Sequence, residues 1–323
     1  MKKKRMILLL LAASFFISGC EMQKAEEVQQ KVEAEVPTKE ESDTGQKIEE
    51  TERTADIVEG CVVETDSPII EEETEILVKK EGMEDLKAQL ETMLSGYAGD
   101  WAVYVKDLSC GEYLEINNHA VKAASLIKLY IMGAVLEQRE AGSLIDDGTV
   151  EELLTAMITV SDNESSNELV RRLSADGTNH EEGMEVVNAF AWKNGYNDTS
   201  QGRDLKDFRE VPATGENYTS VKDCGMFLEK VYFGECVSQE ASEEILGLLK
   251  RQTRTWKIPA GVPEGVVTAN KTGELSDTEN DVAIVYAPGG DYILCVTSTE
   301  LPDTSVAQQN IAAISEMVYR YMN

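Results

Sequence analysis

Histidine, paired cysteines and positive charge are all scarce in this sequence. Only two of its 323 residues are histidines, His119 and His180, which leaves little material for a histidine-rich metal site or a Ser-His-Asp triad. The six cysteines lie far apart and form no Cys-x-x-Cys pair, which argues against a zinc ribbon and a disulfide-dense scaffold. Thirty Lys and Arg residues stand against 60 Asp and Glu residues, for a net charge of −30, and this disfavours binding to a phosphate backbone. We therefore expect no nucleic-acid partner, no metal and no cofactor.

The first 20 residues have the features of an export signal. A basic stretch is followed, over residues 6–18, by an apolar run that is too short to span a bilayer as a helix. The run ends in Ile17-Ser18-Gly19-Cys20, which resembles a bacterial lipobox, in which a diacylated cysteine becomes the new N-terminus. A plain secretory signal is the alternative. We expect residues 1–20 to be a lipoprotein signal peptide and Cys20 to be lipidated, so that the protein is anchored to the cell membrane and faces outside the cytoplasm.

Residues 21–82 have the composition of an acidic tether. They contain 20 Asp and Glu residues and 7 Lys and Arg residues, without a single Trp, Phe or Tyr. Such a segment buries too little apolar surface to offset the entropy of ordering, and its like charges repel one another. We interpret it as a disordered spacer; an acidic arm that binds a partner is the alternative.

Residues 83–323 have a globular composition and suit one α/β domain. The hydrophobic periodicity predicts strands over 101–105, 112–116, 266–271, 281–286 and 292–298, and helices over 83–94, 125–140, 150–160, 164–173, 184–192, 221–232, 242–252 and 305–321. Strands near both chain ends, around a helical middle, favour an antiparallel sheet built from both ends. Cys110 and Cys295 are expected in the core of this domain.

Ser125-Leu126-Ile127-Lys128 opens the first strong helical pattern. Serine is a weak nucleophile near neutral pH and needs a base beside it. Residues three apart lie on one face of a helix, so Lys128 can accept the Ser125 proton if burial depresses its pKa. The helix N-terminus adds a free N–H for a developing oxyanion. Alone, the motif also fits a helix-capping serine with a solvated lysine.

Two further motifs follow along the chain. Ser161-Asp162-Asn163 lies at the break between two helical patterns, where a hydroxyl can relay protons and an amide can orient a lysine; Ser161-x-x-Glu164 also fits a capping box. Lys271-Thr272-Gly273 ends the strand predicted over 266–271. There a cation can hold a substrate carboxylate, while Thr and Gly let a substrate backbone pair with the strand edge.

Together and in this order, Ser-x-x-Lys, Ser-Asp-Asn and Lys-Thr-Gly resemble the penicillin-recognising serine enzymes, and class A β-lactamases in particular. The residues around the motifs strengthen the resemblance, notably Ala123-Ala124 before Ser125 and the run from Met157 to Asn163. The resemblance covers residues 83–323. It implies a β-lactamase/D,D-peptidase-like α/β fold, in which a sheet from both chain ends is flanked by helices and joined to an all-helical lobe.

The resemblance also implies a set of roles in acylation. Ser125 would be the acylated nucleophile and Lys128 its proton acceptor or orienting group. Ser161 would pass the proton to the leaving nitrogen. The backbone N–H groups of Ser125 and Glu274 would form the oxyanion hole.

Substrate binding is implied for the other motif residues. Asn163 would contact the substrate side-chain amide and Lys128. Lys271 and Thr272, followed by Gly273, would bind the substrate carboxylate.

Three features depart from class A sequences. Ser161 follows Ser125 by only 36 residues, so the helical lobe is expected to be trimmed near 142–150 and the cleft to be more open. The Glu-x-x-Leu-Asn motif, whose glutamate activates the deacylating water, is missing between residues 195 and 218. Asp204, Asp207 and Glu210 are the candidate replacements. Glu274 also puts an acid where class A enzymes usually have a small residue.

Three functions remain open from the sequence. The first is a lipid-anchored serine hydrolase of the class A type that hydrolyses the amide bond of β-lactams, and we expect it to be a monomer. The second is a D,D-carboxypeptidase-like or slow penicillin-binding enzyme acting on peptidoglycan stem peptides. The third is a non-catalytic lipoprotein that binds envelope partners; the intact Ser125, Lys128, Ser161 and Lys271 argue against it.

Overall fold

A computed structural model of the chain describes residues 82–206 and 215–323. The predicted signal peptide with Cys20, nearly all of the predicted tether, and the candidate bases Asp207 and Glu210 lie outside the described residues. The predictions on them, and the three-part division of the chain, stay predictions.

Five antiparallel strands form the central sheet. The strands of the described residues, in chain order, are β1 (Asp100–Asp107), β2 (Tyr113–Ile116), β3 (Val121–Lys122), β4 (Tyr218–Thr219), β5 (Val267–Leu275), β6 (Thr278–Tyr286) and β7 (Tyr292–Thr299). Their order in the sheet is β2-β1-β7-β6-β5, while β3 and β4 pair separately. The first two strands therefore join the last three, and the prediction of a sheet from both chain ends is confirmed.

Helices cover both faces of this sheet. They are α1 (Met83–Leu94), α2 (Ile127–Glu140), α3 (Val150–Thr159), α4 (Asn163–Arg172), α5 (His180–Lys193), α6 (Val221–Tyr232), α7 (Gln239–Lys250) and α8 (Thr304–Met322). Alternate β1 residues point to opposite faces: Val103 packs in one core with α1 and α8, and Tyr104 packs in the other with α2 and α6. The predicted α/β class, with a sheet flanked by helices and a helical region, is confirmed.

Two predicted element boundaries are wrong at the motifs. Ser125 does not start the long helix; it lies in a 3-10 turn, Ala124–Leu126, and α2 begins at Ile127. Ala124 has a φ of 47°, which is not α-helical geometry. Lys271-Thr272-Gly273 lies inside β5 rather than at its end, because pairing with β6 continues through Gly273 and beyond.

Cys110 was expected in the core but is exposed. It lies in the turn between β1 and β2, outside both strands. Cys295 on β7 is fully buried, as predicted. Within the two described ranges, no helix is both long and apolar enough to cross a membrane.

Candidate active site

Helix α2 buries the motif lysine. Its residues from Ile127 to Leu136 are all buried, as expected for a helix enclosed by others. Lys128, on the first turn, is completely inaccessible to solvent, whereas Ser125 in the preceding turn is partly exposed. The Ser-x-x-Lys motif thus combines a serine that solvent can reach with a lysine amine that is buried.

Ser161 stands at the corner between α3 and α4 in a strained conformation. Its φ is 60°, a left-handed backbone that costs a non-glycine residue about 1–3 kcal/mol. Neighbouring contacts hold it there: the Asp162 carboxylate caps α4 by accepting the N–H of Ser165 at 2.7 Å. Thr253 donates its N–H to the carbonyl of Thr159 at 3.0 Å. These contacts therefore fix the backbone on both sides of Ser161 and with it the direction of the Ser161 side chain.

Three hydrogen-bond acceptors at this corner surround the amine of Lys128. Its Nζ donates to the Ser161 carbonyl at 2.7 Å, to Ser161 Oγ at 3.1 Å and to Asn163 Oδ1 at 2.7 Å. Burial lowers the Lys128 pKa to about 7, against the opposing attraction of Asp162. Lys128 therefore exchanges its proton near neutral pH. Within the described residues, Ser125 Oγ and Lys128 Nζ form no hydrogen bond with each other. Proton transfer between them therefore requires a rearrangement of the two side chains.

Lys271 approaches Ser161 from the other side. This lysine is fully buried on β5, and its Nζ donates to Ser161 Oγ at 3.0 Å and to the Thr272 carbonyl at 2.7 Å. Burial lowers its pKa well below the usual value, and the charge of Lys128 lowers it further. Ser161 Oγ thus bridges two amines, an arrangement suited to moving a proton between them.

Thr272 offers an unused polar atom beside this bridge. Its Oγ1 is buried and has no hydrogen-bond partner among the described residues. A buried hydroxyl without a partner is costly unless a ligand or water satisfies it. Thr272 is therefore placed to bind a substrate group.

Gly273 lets β5 approach the nucleophile turn. A Cβ at this position would lie 2.9 Å from the Ala123 carbonyl oxygen, closer than real side chains come, and 3.2 Å from the Ser125 nitrogen, which is a tight contact. The two residues predicted to form the oxyanion hole, Ser125 and Glu274, belong to the segments that meet here.

The Glu274 side chain belongs to a charged cluster. Arg254 Nη1 donates to Glu274 Oε2 at 2.6 Å, and the buried Lys257 lies 3.2 Å from Glu274 Oε1 and 2.5 Å from Glu279 Oε2. Glu274 and Glu279 are directly opposite in the β5–β6 register, where like charges repel. Lys257 lies between them and offsets that repulsion.

A cleft of about 240 Å³ is lined by four of the predicted site residues, whereas the buried Lys128, Ser161 and Lys271 are not part of its lining. Its lining includes Ser125, Asn163, Asp204 and Glu274, together with Glu216. Asp204 Oδ1 lies 3.0 Å from His180 Nδ1. The predicted Asp204 is thus at the cleft, with its carboxylate held by a helix α5 side chain.

Arg254, Lys257 and Glu216 were missed by reasoning from sequence. The first two stand close together, Arg254-Thr255-Trp256-Lys257, just before β5 in a strongly acidic chain, and that local concentration of cations was an available signal. Glu216 lies between residues 195 and 218, but Thr219 and Ser220 stand where the Glu-x-x-Leu-Asn motif has Leu and Asn. In the part of the chain that the structure describes, no three His, Cys, Asp or Glu side chains are grouped closely enough to hold a metal ion.

Sequence comparison identifies relatives for most of this region. Residues 85–150 and 145–322 match the profile of the beta-lactamase enzyme family. Beta-lactamase FAR-1 of Nocardia farcinica is 27% identical over 173 residues, which are 51% of this chain and 52% of that protein. The chain thus matches about half the length of this curated relative.

Solved structures share the fold. A beta-lactamase from Sphaerobacter thermophilus has a TM-score of 0.65 at 24% identity, over 75% of this chain and 98% of its own. PBP-A has a TM-score of 0.64 at 23% identity, over 73% and 95% of the two chains. The two-ended sheet with its flanking helices is therefore an arrangement shared with both of these proteins.

Proposed function

The chain belongs to the beta-lactamase enzyme family, and from that premise we propose that it is a serine hydrolase of the class A type. It would form an acyl-enzyme on Ser125 and hydrolyse the amide bond of β-lactams. No cofactor takes part in this scheme, and the protein would act as a monomer.

The bridge through Ser161 Oγ is the observation that carries the proposal. This oxygen lies 3.1 Å from Lys128 Nζ and 3.0 Å from Lys271 Nζ. A merely structural serine at a helix corner needs no two buried amines, each of which is costly to bury. In the proposed reaction Lys128 exchanges a proton with Ser161, and Lys271 orients the Ser161 hydroxyl and holds the substrate carboxylate.

Acylation then proceeds through the groups around Ser125. After a rearrangement that brings Lys128 Nζ to Ser125 Oγ, neutral Lys128 takes the Ser125 proton as Oγ attacks the β-lactam carbonyl carbon. The N–H groups of Ser125 and Glu274 stabilise the negative charge that develops on the carbonyl oxygen. Ser161 passes a proton to the ring nitrogen as its bond to the carbonyl carbon breaks, and Lys128 replaces the proton on Ser161.

The substrate would be recognised by the polar groups that have no role in the acylation steps. The Asn163 amide uses its oxygen for Lys128, so its N–H₂ is free to donate to a substrate side-chain carbonyl. The Lys271 amine and the unpaired Thr272 hydroxyl suit the carboxylate of a β-lactam, because a bound carboxylate would favour the charged form of the lysine.

Covalent labelling tests the proposal directly. The full-length chain is incubated with a fluorescent penicillin and analysed by intact mass. We expect one adduct per chain, located on Ser125, and none in Ser125→Ala. Ser143→Ala, at an exposed serine, is the matched control and should label normally. Labelling that survives in Ser125→Ala would remove the mechanism.

A D,D-peptidase is the second candidate, favoured by the lack of the Glu-x-x-Leu-Asn motif. An enzyme without a base for deacylation forms the same adduct but releases it slowly. The time course of the adduct separates the two: fast loss indicates a β-lactamase, and a persistent adduct with release of the terminal residue from stem peptides indicates a peptidase.

We also propose that the enzyme is tethered to the outer face of the cell membrane. The lipobox-like Ile17-Ser18-Gly19-Cys20 and the acidic residues that follow it support this placement. A diacylated cysteine would supply the two chains that stable anchoring needs.

A further inference from the structure

Glu274 puts a carboxylate beside the substrate-binding part of strand β5. It lines the same cleft as Ser125. It follows Thr272 by two residues, so the two side chains point to the same face of the strand from Cα atoms roughly 7 Å apart. The buried Thr272 hydroxyl has no hydrogen-bond partner among the described residues, and in the proposed function it binds the substrate carboxylate. A negative side chain therefore lies close to the place where a negative substrate group would bind.

Arg254 compensates the charge of Glu274. Its Nη1 donates to Glu274 Oε2 at 2.6 Å. Lys257 Nζ lies 3.2 Å from Glu274 Oε1 and closer, 2.5 Å, to Glu279 Oε2. These two cations and two carboxylates form a cluster whose formal charges cancel. The Glu274 and Arg254 side chains are 26% and 32% exposed, so water screens their charges only in part.

The negative member of the Arg254–Glu274 pair is the one that faces the substrate. Among the described residues, Glu274 lines the cleft and Arg254 does not. Burial is the main cause of the lowered pKa of Lys271, and the charges of Lys128 and Arg254 lower that pKa further. The charge of Arg254 therefore reaches the lysine that would hold the substrate carboxylate, and Glu274 offsets it there.

We propose that Glu274 determines the substrate preference of this site, an assignment that rests on the proposed function. Its carboxylate opposes a second carboxylate beside Thr272, and this lowers the advantage that a charged substrate would otherwise have. The site then also accepts acyl donors with an uncharged carbonyl group at that position. Esters and amides of β-lactam acids belong to this class, as do peptides cleaved at an internal bond, where the next residue has no free carboxylate.

The methyl ester of benzylpenicillin isolates this effect, because it differs from the acid only at the carboxylate. The full-length chain is treated with each compound, and intact mass gives the rate constant for adduct formation on Ser125. In the wild type we expect the ratio of the acid rate constant to the ester rate constant to be below about ten. In Glu274→Gln the ratio should rise about tenfold, as expected for one unit charge roughly 7 Å away in a partly solvated site.

Two further variants control for net charge and for structure. Glu264→Gln removes the same charge at an exposed position outside the cleft and should leave the ratio at its wild-type value. Arg254→Gln leaves Glu274 uncompensated, so the ratio should fall about tenfold. With both Glu274→Gln and Arg254→Gln, the ratio should return to within about threefold of the wild type. A purely structural role would change both rate constants by the same factor, and thermal melting shows that each variant is folded.

The remaining outcomes distinguish this inference from the proposed function. If both compounds label Ser125 but Glu274→Gln raises their ratio by less than about threefold, the inference is overturned while acylation of Ser125 stands. A wild-type ratio above about ten also overturns it, since the site then favours the carboxylate despite Glu274. If neither compound labels Ser125, the proposed function fails and the preference assigned to Glu274 fails with it.

Discussion

Raising the pH from 6 to 8 should speed acylation of Ser125 about tenfold. Only neutral Lys128 can accept the serine proton, and burial lowers the Lys128 pKa to about 7. With that value the neutral fraction rises from roughly a tenth at pH 6 to roughly nine tenths at pH 8. A lysine with its ordinary pKa would be protonated throughout, and the rate would be far lower at both values.

The lowered pKa of Lys128 also makes the folded protein less stable at low pH, where the buried lysine is protonated. Its pKa is lowered from 10.5 in the unfolded chain to about 7 in the folded one, so the unfolded state binds more protons between these values. The free energy of unfolding therefore rises with pH across this window. The free energy of unfolding of Lys128→Met, measured relative to that of the wild type, should therefore be higher at pH 6 than at pH 9.5 by about 3 kcal/mol.

Stopped-flow labelling with fluorescent penicillin measures the first effect, and urea unfolding at the two pH values measures the second. Lys128→Met should label slower by orders of magnitude at every pH. Lys193→Met removes an exposed lysine and should leave both profiles unchanged. A labelling rate that is flat or falls between pH 6 and 8, in protein that stays folded, would refute the role of Lys128 as base.

Three further changes have defined outcomes. Gly273→Ala would put a methyl group 2.9 Å from the Ala123 carbonyl, and should slow acylation about 100-fold by shifting the nucleophile turn; labelling at the normal rate would contradict this. Lys257→Met leaves the buried Glu279 without its partner at 2.5 Å, and should cost about 3–5 kcal/mol in urea unfolding; unchanged stability would show that the ion pair is not needed. Cys20→Ala should move the protein from the membrane fraction to the soluble fraction; a wild-type protein found soluble, with a different N-terminus, would contradict lipidation.

The sequence by itself identified the chemistry-bearing residues wherever the pattern is local. Ser125 and Lys128 are three residues apart, and their spacing on a helical turn follows from backbone geometry alone. The corner at Ser161 was predicted from two adjacent helical patterns, and the two-ended sheet from strand periods at both ends of the domain. Boundaries were less secure: α2 starts two residues later than expected, because the left-handed backbone of Ala124 leaves no mark in hydrophobic periodicity.

Tertiary structure decided everything that depends on pairs distant in sequence. Lys271 meets Ser161 across 110 residues, and no spacing rule connects them. The pKa of Lys128 depends on desolvation by surrounding elements, which is a property of the packed core and not of the motif. Glu216 comes beside Ser125 only because β3 and β4 pair, and the Arg254–Glu274–Lys257 cluster forms only when the loop before β5 folds back on that strand. Such contacts depend on how distant segments of the chain pack against one another. A sequence pattern can therefore identify the residues, but it does not show which of them will be in contact.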